Sequence, residues 1–332
     1  MPEHDRSAEL VAALEEELIH HRARAVGDAG HRIDLAMALN NLGAVYLNAD
    51  RAQDAVGATE EAVAAYRELA AADPRHRAEL ATVLQNLGLA YVQAGRVELF
   101  DAFGEVVTTW RDLAADDPTH LPRLANALVT LATWHSRVGR HEEAATALAE
   151  AVAVFRRAVP EHPALLPDLA VTLTNLGNRY LQLERPADSV GHAREAVALY
   201  RGLVVASPAY LPDLAGALNT LANGLRDSGE PAAAIALAEE AVALRRELGG
   251  DDPDSVRGLA MVLNNLGAYY AEVDRHADAL APTEEAAGLL RRLLAEGQDV
   301  QALLDAVLSN LERRREDVGK REPRRRKRFW PF

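Results

Sequence analysis

The alternation of apolar and polar positions repeats along this chain every 44 or 45 residues. A Leu-Ala pair recurs at Leu35-Ala36, Leu80-Ala81, Leu124-Ala125, Leu169-Ala170, Leu214-Ala215 and Leu259-Ala260. Further leucines follow four and seven residues later, as Leu39 and Leu42 do in the first copy. Spacing of i, i+4 and i+7 lays all three on one stripe of an α-helix, which predicts a helix of about 14 residues in each copy. Each third leucine is followed by a small residue: Gly43, Gly88, Ala132, Gly177, Ala222 and Gly267. A glycine inside a helix costs about 1 kcal/mol, so its recurrence there implies the close approach of another backbone.

A second helix, of about 20 residues, is expected after each short turn, the turns being Ala49-Asp50-Arg51, Ala94-Gly95-Arg96 and their equivalents. Small residues such as Ala55 and Ala62 line one of its faces, and linkers carrying Pro74, Pro118, Pro163, Pro208 and Pro253 close the copies. Pro122, Pro167 and Pro212 fall where the first turn of the next helix tolerates them. An arginine marks the end of every second helix: Arg22, Arg67, Arg111, Arg156, Arg201, Arg246 and Arg291. An arginine repeated at one helical site packs its stem and pairs with a neighbouring carboxylate, for example Asp34, Glu79, Asp168 or Asp213. Arg22 makes the N-terminal segment the second helix of an incomplete copy. Leu304, Leu308, Asn310 and Leu311 make residues 303 to 317 the first helix of another. The expected architecture is all-α, with a half, six whole and a half repeat of antiparallel helix pairs over residues 1–317 and a tail over 318–332.

The run Leu39-x-x-Leu42-Gly43-x-x-Tyr46, followed by Ala55 and Ala62, resembles the tetratricopeptide repeat signature. Tyr91, His135, Tyr180 and Tyr270 continue the tyrosine position, from which Leu225 departs. The period exceeds the usual 34 residues, as in the long repeats of kinesin light chains and of bacterial multi-repeat regulators. The resemblance implies a right-handed superhelical solenoid whose first helices line a concave, peptide-receiving groove. It places one row of polar residues there, Asn41, Asn86, Thr130, Asn175, Thr220, Asn265 and Asn310, and beside it a second, Asn40, Gln85, Val129, Thr174, Asn219, Asn264 and Ser309. A carboxamide offers donors and an acceptor that match an extended peptide backbone, so these rows can form a peptide-binding ladder. Alternatively they cap or bridge neighbouring helices. Clamps of this family that take a C-terminal carboxylate need cations at inner groove positions. Here those positions hold Met37, Asn40, Ala44, Thr82, Gln85, Leu89, Asn126, Val129 and Thr133.

Charge sharpens the partner. The last 21 residues, Glu312 to Phe332, carry ten basic and four acidic side chains, a balance of +6. Since the whole chain stands at −14, the rest stands at −20. A basic or neutral polypeptide fits the body better than an acidic one. There is no cysteine, hence neither a disulfide nor a thiolate metal site. His141-Glu142-Glu143 lacks a second histidine, His20-His21 has no ligand cluster beside it, and neither a phosphate loop nor a serine elbow occurs. The scattered histidines read as surface or linker residues. No catalytic residue, cofactor or metal is expected. The polar N-terminus and the lack of a long apolar run suggest a cytoplasmic protein.

Two segments depart from the period. Val97-Glu98-Leu99-Phe100-Asp101-Ala102-Phe103-Gly104 puts bulky side chains where small ones are usual, near Trp110 and Trp134, and reads first as a repacked core, secondly as an exposed patch. The tail, Arg324-Arg325-Arg326-Lys327-Arg328-Phe329-Trp330-Pro331-Phe332, follows Pro323, which is expected to stop any helix. Its cations and aromatics suit docking on an acidic surface of this same fold, then an anionic membrane, and last a nucleic acid. The leading function is an adaptor or regulatory scaffold. Tethering to membrane or nucleic acid through the tail, or a place as an enzyme's regulatory subunit, are the alternatives.

Overall fold

The computed structural model describes residues 3–25 and 29–326, with side chains from 10 to 25 and from 30 to 319. Among these residues there is no strand. The contacts divide the chain into two compact units, residues 1–162 and 163–332.

The first unit holds α1 (Glu3–Arg24), α2 (Ala29–Asn48), α3 (Ala52–Ala72), α4 (Arg77–Gln93), α5 (Leu99–Asp116), α6 (Leu121–Arg137) and α7 (His141–Ala158). Each helix packs on the next, and the first helices α2 and α4 also touch directly. The second unit holds α8 (Leu166–Gln182), α9 (Pro186–Ala206), α10 (Leu211–Asp227), α11 (Pro231–Leu248), α12 (Pro253–Glu272), α13 (His276–Ala295) and α14 (Gln301–Arg326). Neighbours again pack in order, and α8 touches α10 as α10 touches α12.

The periodic leucines are the core. Leu39, Leu84, Leu128, Leu173, Leu218 and Leu263 are at most 1% exposed, each worth roughly 1.5–3 kcal/mol of transfer free energy. The small residues after the third leucine are needed for packing. A Cβ on Gly43 would lie 2.5 Å from Cγ2 of Thr59 in α3, and one on Gly88 would lie 2.7 Å from the Phe103 ring. Phe103 is 1% exposed, so the departure in the second copy is a repacked core in which an aromatic ring fills the slot over a glycine.

The turns between paired helices share one geometry. Asp50, Gly95, Gly139, Glu184, Gly229 and Asp274 all have φ between +55° and +86°. The N–H after each reaches back to the carbonyl at the tyrosine position, as Arg51 does to Tyr46 at 2.9 Å and Arg275 to Tyr270 at 2.8 Å. This satisfies carbonyls the helix end would otherwise orphan. Linkers begin on a capping side chain followed by proline: Asp73 accepts from the Arg75 N–H at 3.0 Å and Asp117 from that of Thr119 at 2.9 Å.

Three expectations need correction. First helices run 17 to 20 residues rather than 14, because their end turns are polar, such as Arg77-Ala78-Glu79, and lie outside the apolar stripe. Five of the row arginines do pair with a carboxylate, but not with the acids on the first helices. Arg111 pairs with Glu150 at 2.9 Å, Arg201 with Glu240 at 2.8 Å and Arg246 with Glu285 at 2.6 Å, while Arg22 and Arg67 reach Glu61 and Glu105. Every one of these acids sits on the second helix of the following repeat. Finally, α14 continues through Pro323 to Arg326. The proline there forgoes its N–H bond and crowds the carbonyl four residues back, and α14 carries on past it. The residues from 327 onward, Lys327, Arg328, Phe329, Trp330 and Phe332 among them, lie outside the described part, as do the side chains of Arg324, Arg325 and Arg326.

Both terminal helices carry a glutamate where whole repeats need a small buried residue. By the period, Glu17 takes the place of Ala62, which is 0% exposed, and Glu312 that of Gly267.

Candidate functional site

Positions i, i+3, i+7 and i+10 of each first helix share a face. In the first unit this face carries Asp34, Met37 and Asn41 on α2, then Glu79, Thr82, Asn86 and Leu89 on α4. Met37 is 51% exposed and Leu89 40%, an unusual position for long apolar side chains on helices whose other face is so fully buried. In the second unit Val171 and Met261 occupy the Met37 position and are 41% and 45% exposed.

The polar rows divide into bonded and unbonded members. Nδ2 of Asn86 donates to Oδ1 of Asn40 at 2.8 Å, that of Asn265 to Asn219 at 3.0 Å and that of Asn310 to Asn264 at 3.1 Å. In each pair the donor belongs to the first helix of the following repeat, so the amides bridge neighbouring first helices. Thr220 donates to Asn178 at 3.0 Å in the same manner, and Thr130 bonds back to the Asn126 carbonyl at 2.9 Å. Asn41, Gln85 and Asn175 are exposed and hydrogen bond to no described residue.

A pocket of about 710 Å³ opens on this face in the first unit. Its floor is Met37 and Val83, with Tyr66 from α3 and Trp110 from α5. Tyr66 and Trp110 are 4% and 5% exposed, and the Tyr66 hydroxyl has no hydrogen-bond partner among the described residues. Burial, and secondly the charge of Glu79, push its pKa up. Glu79 and Arg123 stand at the rim without an ion pair, while His120 lies against the Trp110 ring at 5.6 Å. The sequence singled out Trp110 beside the atypical segment but not its pairing with Tyr66, although a signal existed: an aromatic precedes the row arginine in Tyr66-Arg67, Trp110-Arg111, Phe155-Arg156 and Tyr200-Arg201.

A second pocket of about 390 Å³, in the second unit, is lined by Asn264, Asn265, Asn310, Glu272, Arg313 and Arg314, among others. Arg313 continues the inner column of Ala44, Leu89 and Thr133, so that column does end on a cation. Arg314 is 4% exposed and donates to the Thr283 hydroxyl and, at 3.1 Å, to the Asn264 carbonyl. With burial the main cause and Arg313 beside it, its pKa falls to about 10.

The signature tyrosines serve the fold. Tyr46 donates to Glu15 at 2.7 Å and Tyr91 to Glu60 at 2.8 Å, and Tyr270 bonds to Glu239. Arg51, Arg96 and Arg275 lie over the three rings at 4.3 to 4.7 Å. Where the glutamate position holds Gly104 or Ala149, a ring takes over. His135 stacks on Phe100 at 4.9 Å and Tyr180 on His192 at 5.6 Å. Those two histidines are therefore half-buried packing elements rather than surface or linker residues. Among the described residues no group of three histidine or acidic side chains could hold a metal, and no helix is long and apolar enough to cross a membrane.

Models described as tetratricopeptide repeat match residues 123–202 and 213–292, and 35–76, together more than half of the chain. The chain is a tetratricopeptide repeat protein. It is similar in structure to BtubC (BKLC) from P. vanneervenii, with 22% identity and a TM-score of 0.54 over 73% of this chain and 91% of that one. The apo form of RapI is similar with 13% identity and a TM-score of 0.53, over 87% of this chain and 73% of its own. The assembly chaperone of RpL4, Acl4, is similar with 18% identity and a TM-score of 0.53, over 87% and 98%. No curated protein sequence matches. Tetratricopeptide repeats typically serve as protein-interaction scaffolds and generally do no chemistry themselves.

Proposed function

We propose that this tetratricopeptide repeat protein is a non-enzymatic adaptor or regulatory scaffold that binds an extended polypeptide along the exposed face of its first helices. The observation that carries this reading is the register of Met37, Leu89, Val171 and Met261, 40% to 51% exposed, with the unbonded amides of Asn41 and Asn175. Long apolar side chains supply buried area to a partner, and free carboxamides can pair with its backbone. Asp34, Glu79, Asp168 and Asp213 lie exposed on the same stripes, which favours a partner that is basic or neutral.

The test is selection of peptides from a random display library on the full-length chain. Enriched binders should lose at least about tenfold in affinity for a Leu89→Glu/Val171→Glu/Met261→Glu variant. Its melting temperature should hold, because exposed positions contribute little to stability. No enrichment, or equal binding by the variant, refutes the reading.

A further inference from the structure

The pocket in the first unit is built for a particular kind of guest. Its floor combines exposed Met37 with nearly buried Tyr66 and Trp110, and the Tyr66 hydroxyl is left without a partner. An aromatic or other large apolar side chain would cover that floor, and any acceptor it brings would satisfy the phenol, which otherwise needs water. At about 710 Å³ the space lies within the roughly 300–1,000 Å³ of small-ligand pockets and admits more than one side chain. Asp34, three residues before Met37 on the same stripe, and Glu79 at the rim make no ion pair with a described residue. Arg123 and His120 stand among the other lining residues. The guest called for is an aromatic anchor, and the two exposed acids Asp34 and Glu79 against the single cation Arg123 favour one flanked by cations.

This chain carries such a sequence. Arg324 to Arg328 are five consecutive cations, followed by Phe329, Trp330, Pro331 and Phe332. They belong to a segment of charge +6 on a chain whose remainder stands at −20. We infer that the pocket formed by Met37, Tyr66, Val83 and Trp110 receives the aromatic C-terminal segment of a second copy of this chain. Phe329 and Trp330 cover the floor, while the arginines run past Asp34 and Glu79. Since each chain offers both a tail and a pocket, the contact can form head to tail or by reciprocal exchange and needs no further matching face. The inference rests on the reading of the first-helix face as a peptide site and names one occupant for it.

The probe is a labelled peptide of residues Arg324 to Phe332, titrated against the full-length chain carrying Phe329→Ala/Trp330→Ala/Phe332→Ala, so that the chain's own tail does not compete. Binding should fall at least about tenfold when the peptide's three aromatics become alanine, and as far when the chain also carries Met37→Glu. Tyr66→Phe should weaken it about twofold to tenfold, one hydrogen bond, with an unchanged melting temperature because the phenol has no internal partner. Light scattering should show mass rising with concentration for the natural chain and not for its tail-substituted form. Salt should weaken the contact without removing its dependence on the aromatics. Equal binding of the alanine peptide, no effect of Met37→Glu, or a natural chain that stays monomeric would each overturn the inference. So would a peptide that binds phosphatidylserine vesicles and not the chain. If library-selected peptides bind and are sensitive to Leu89→Glu/Val171→Glu/Met261→Glu while the tail peptide fails, the adaptor reading stands and this occupant falls.

Discussion

Asn175 and Asn265 stand at the same place in their repeats, and the structure separates them. Asn265 is half-buried and donates to Asn219 at 3.0 Å, whereas Asn175 is exposed and bonds to no described residue. Replacement by alanine gains roughly 0.5 kcal/mol of helix propensity at either position. At Asn265 it also removes a hydrogen bond worth roughly 1 kcal/mol and leaves the Asn219 oxygen in a half-buried setting. Asn265→Ala should therefore be less stable than Asn175→Ala by about 1 kcal/mol. In a domain of 150–250 residues that corresponds to about 2–4 °C between the two melting temperatures.

The assay is thermal unfolding followed by circular dichroism, with Asn219→Ala and the Asn219→Ala/Asn265→Ala double variant closing a cycle. A coupling energy of about 0.5–1 kcal/mol is expected for residues that touch. Equal melting temperatures for Asn175→Ala and Asn265→Ala, or a cycle that closes additively, would refute the bridging bond. The amides would then be reassigned wholly to ligand binding.

Three further outcomes are expected. The phenols of Tyr46, Tyr91 and Tyr270 are held up to about 12, first by burial and then by their glutamate partners; an unfolded tyrosine titrates near 10. Their contribution is complete below pH 10 and disappears between pH 10 and 12, so melting temperature should drop across that window, and less steeply for Tyr46→Phe/Tyr91→Phe/Tyr270→Phe. Glu184 has φ +55° and Glu184→Gly should raise stability by about 0.5–1 kcal/mol by removing left-handed strain, read as a higher midpoint in guanidinium. Gly43→Ala, whose methyl group would meet Thr59, should cost about 1–3 kcal/mol, and Thr59→Ala should restore most of it; destabilisation that persists in the double variant would exclude the clash.

Helix pairs, turn positions and half repeats were legible because each copy repeats the same solution to the same packing problem. Leucine stripes, glycine slots and the position before each turn arginine are local consequences of a 44- or 45-residue period. Partners across repeats were not legible. The arginine row was expected to meet Asp34 or Glu79 and instead meets Glu61 and Glu105, because which second helix lies against which depends on packing rather than on spacing along the chain. The pocket was missed for a related reason. Tyr66 and Trp110 come from second helices and Met37 from a first helix, so no stretch of sequence contains them together. Arg314 was hidden inside Arg313-Arg314-Arg315, where three identical residues meet very different surroundings: two are exposed and one is 4% exposed.

The amide bridges bear on how such a face can bind at all. A carboxamide has two donors and an oxygen with two lone pairs. In the pair Asn86–Asn40 a single donor and a single lone pair are used, and both side chains remain half-buried rather than sealed. Bridging therefore does not exhaust the row; it fixes the separation of α2 and α4, as Asn265–Asn219 does for α10 and α12. Donors left over on Asn40 and acceptors left over on Asn86 are then held at a spacing set by the first helices. A rigid array of this kind loses less entropy on binding a peptide than free side chains would. The unbonded Asn41 and Asn175 lack that restraint, and on the proposed reading of this face they would be ordered by the ligand itself. Structural and binding roles for the rows are thus not rivals. On the proposed reading, the bridged members hold the register on which the free ones, and the exposed Met37 and Val171 beside them, would act.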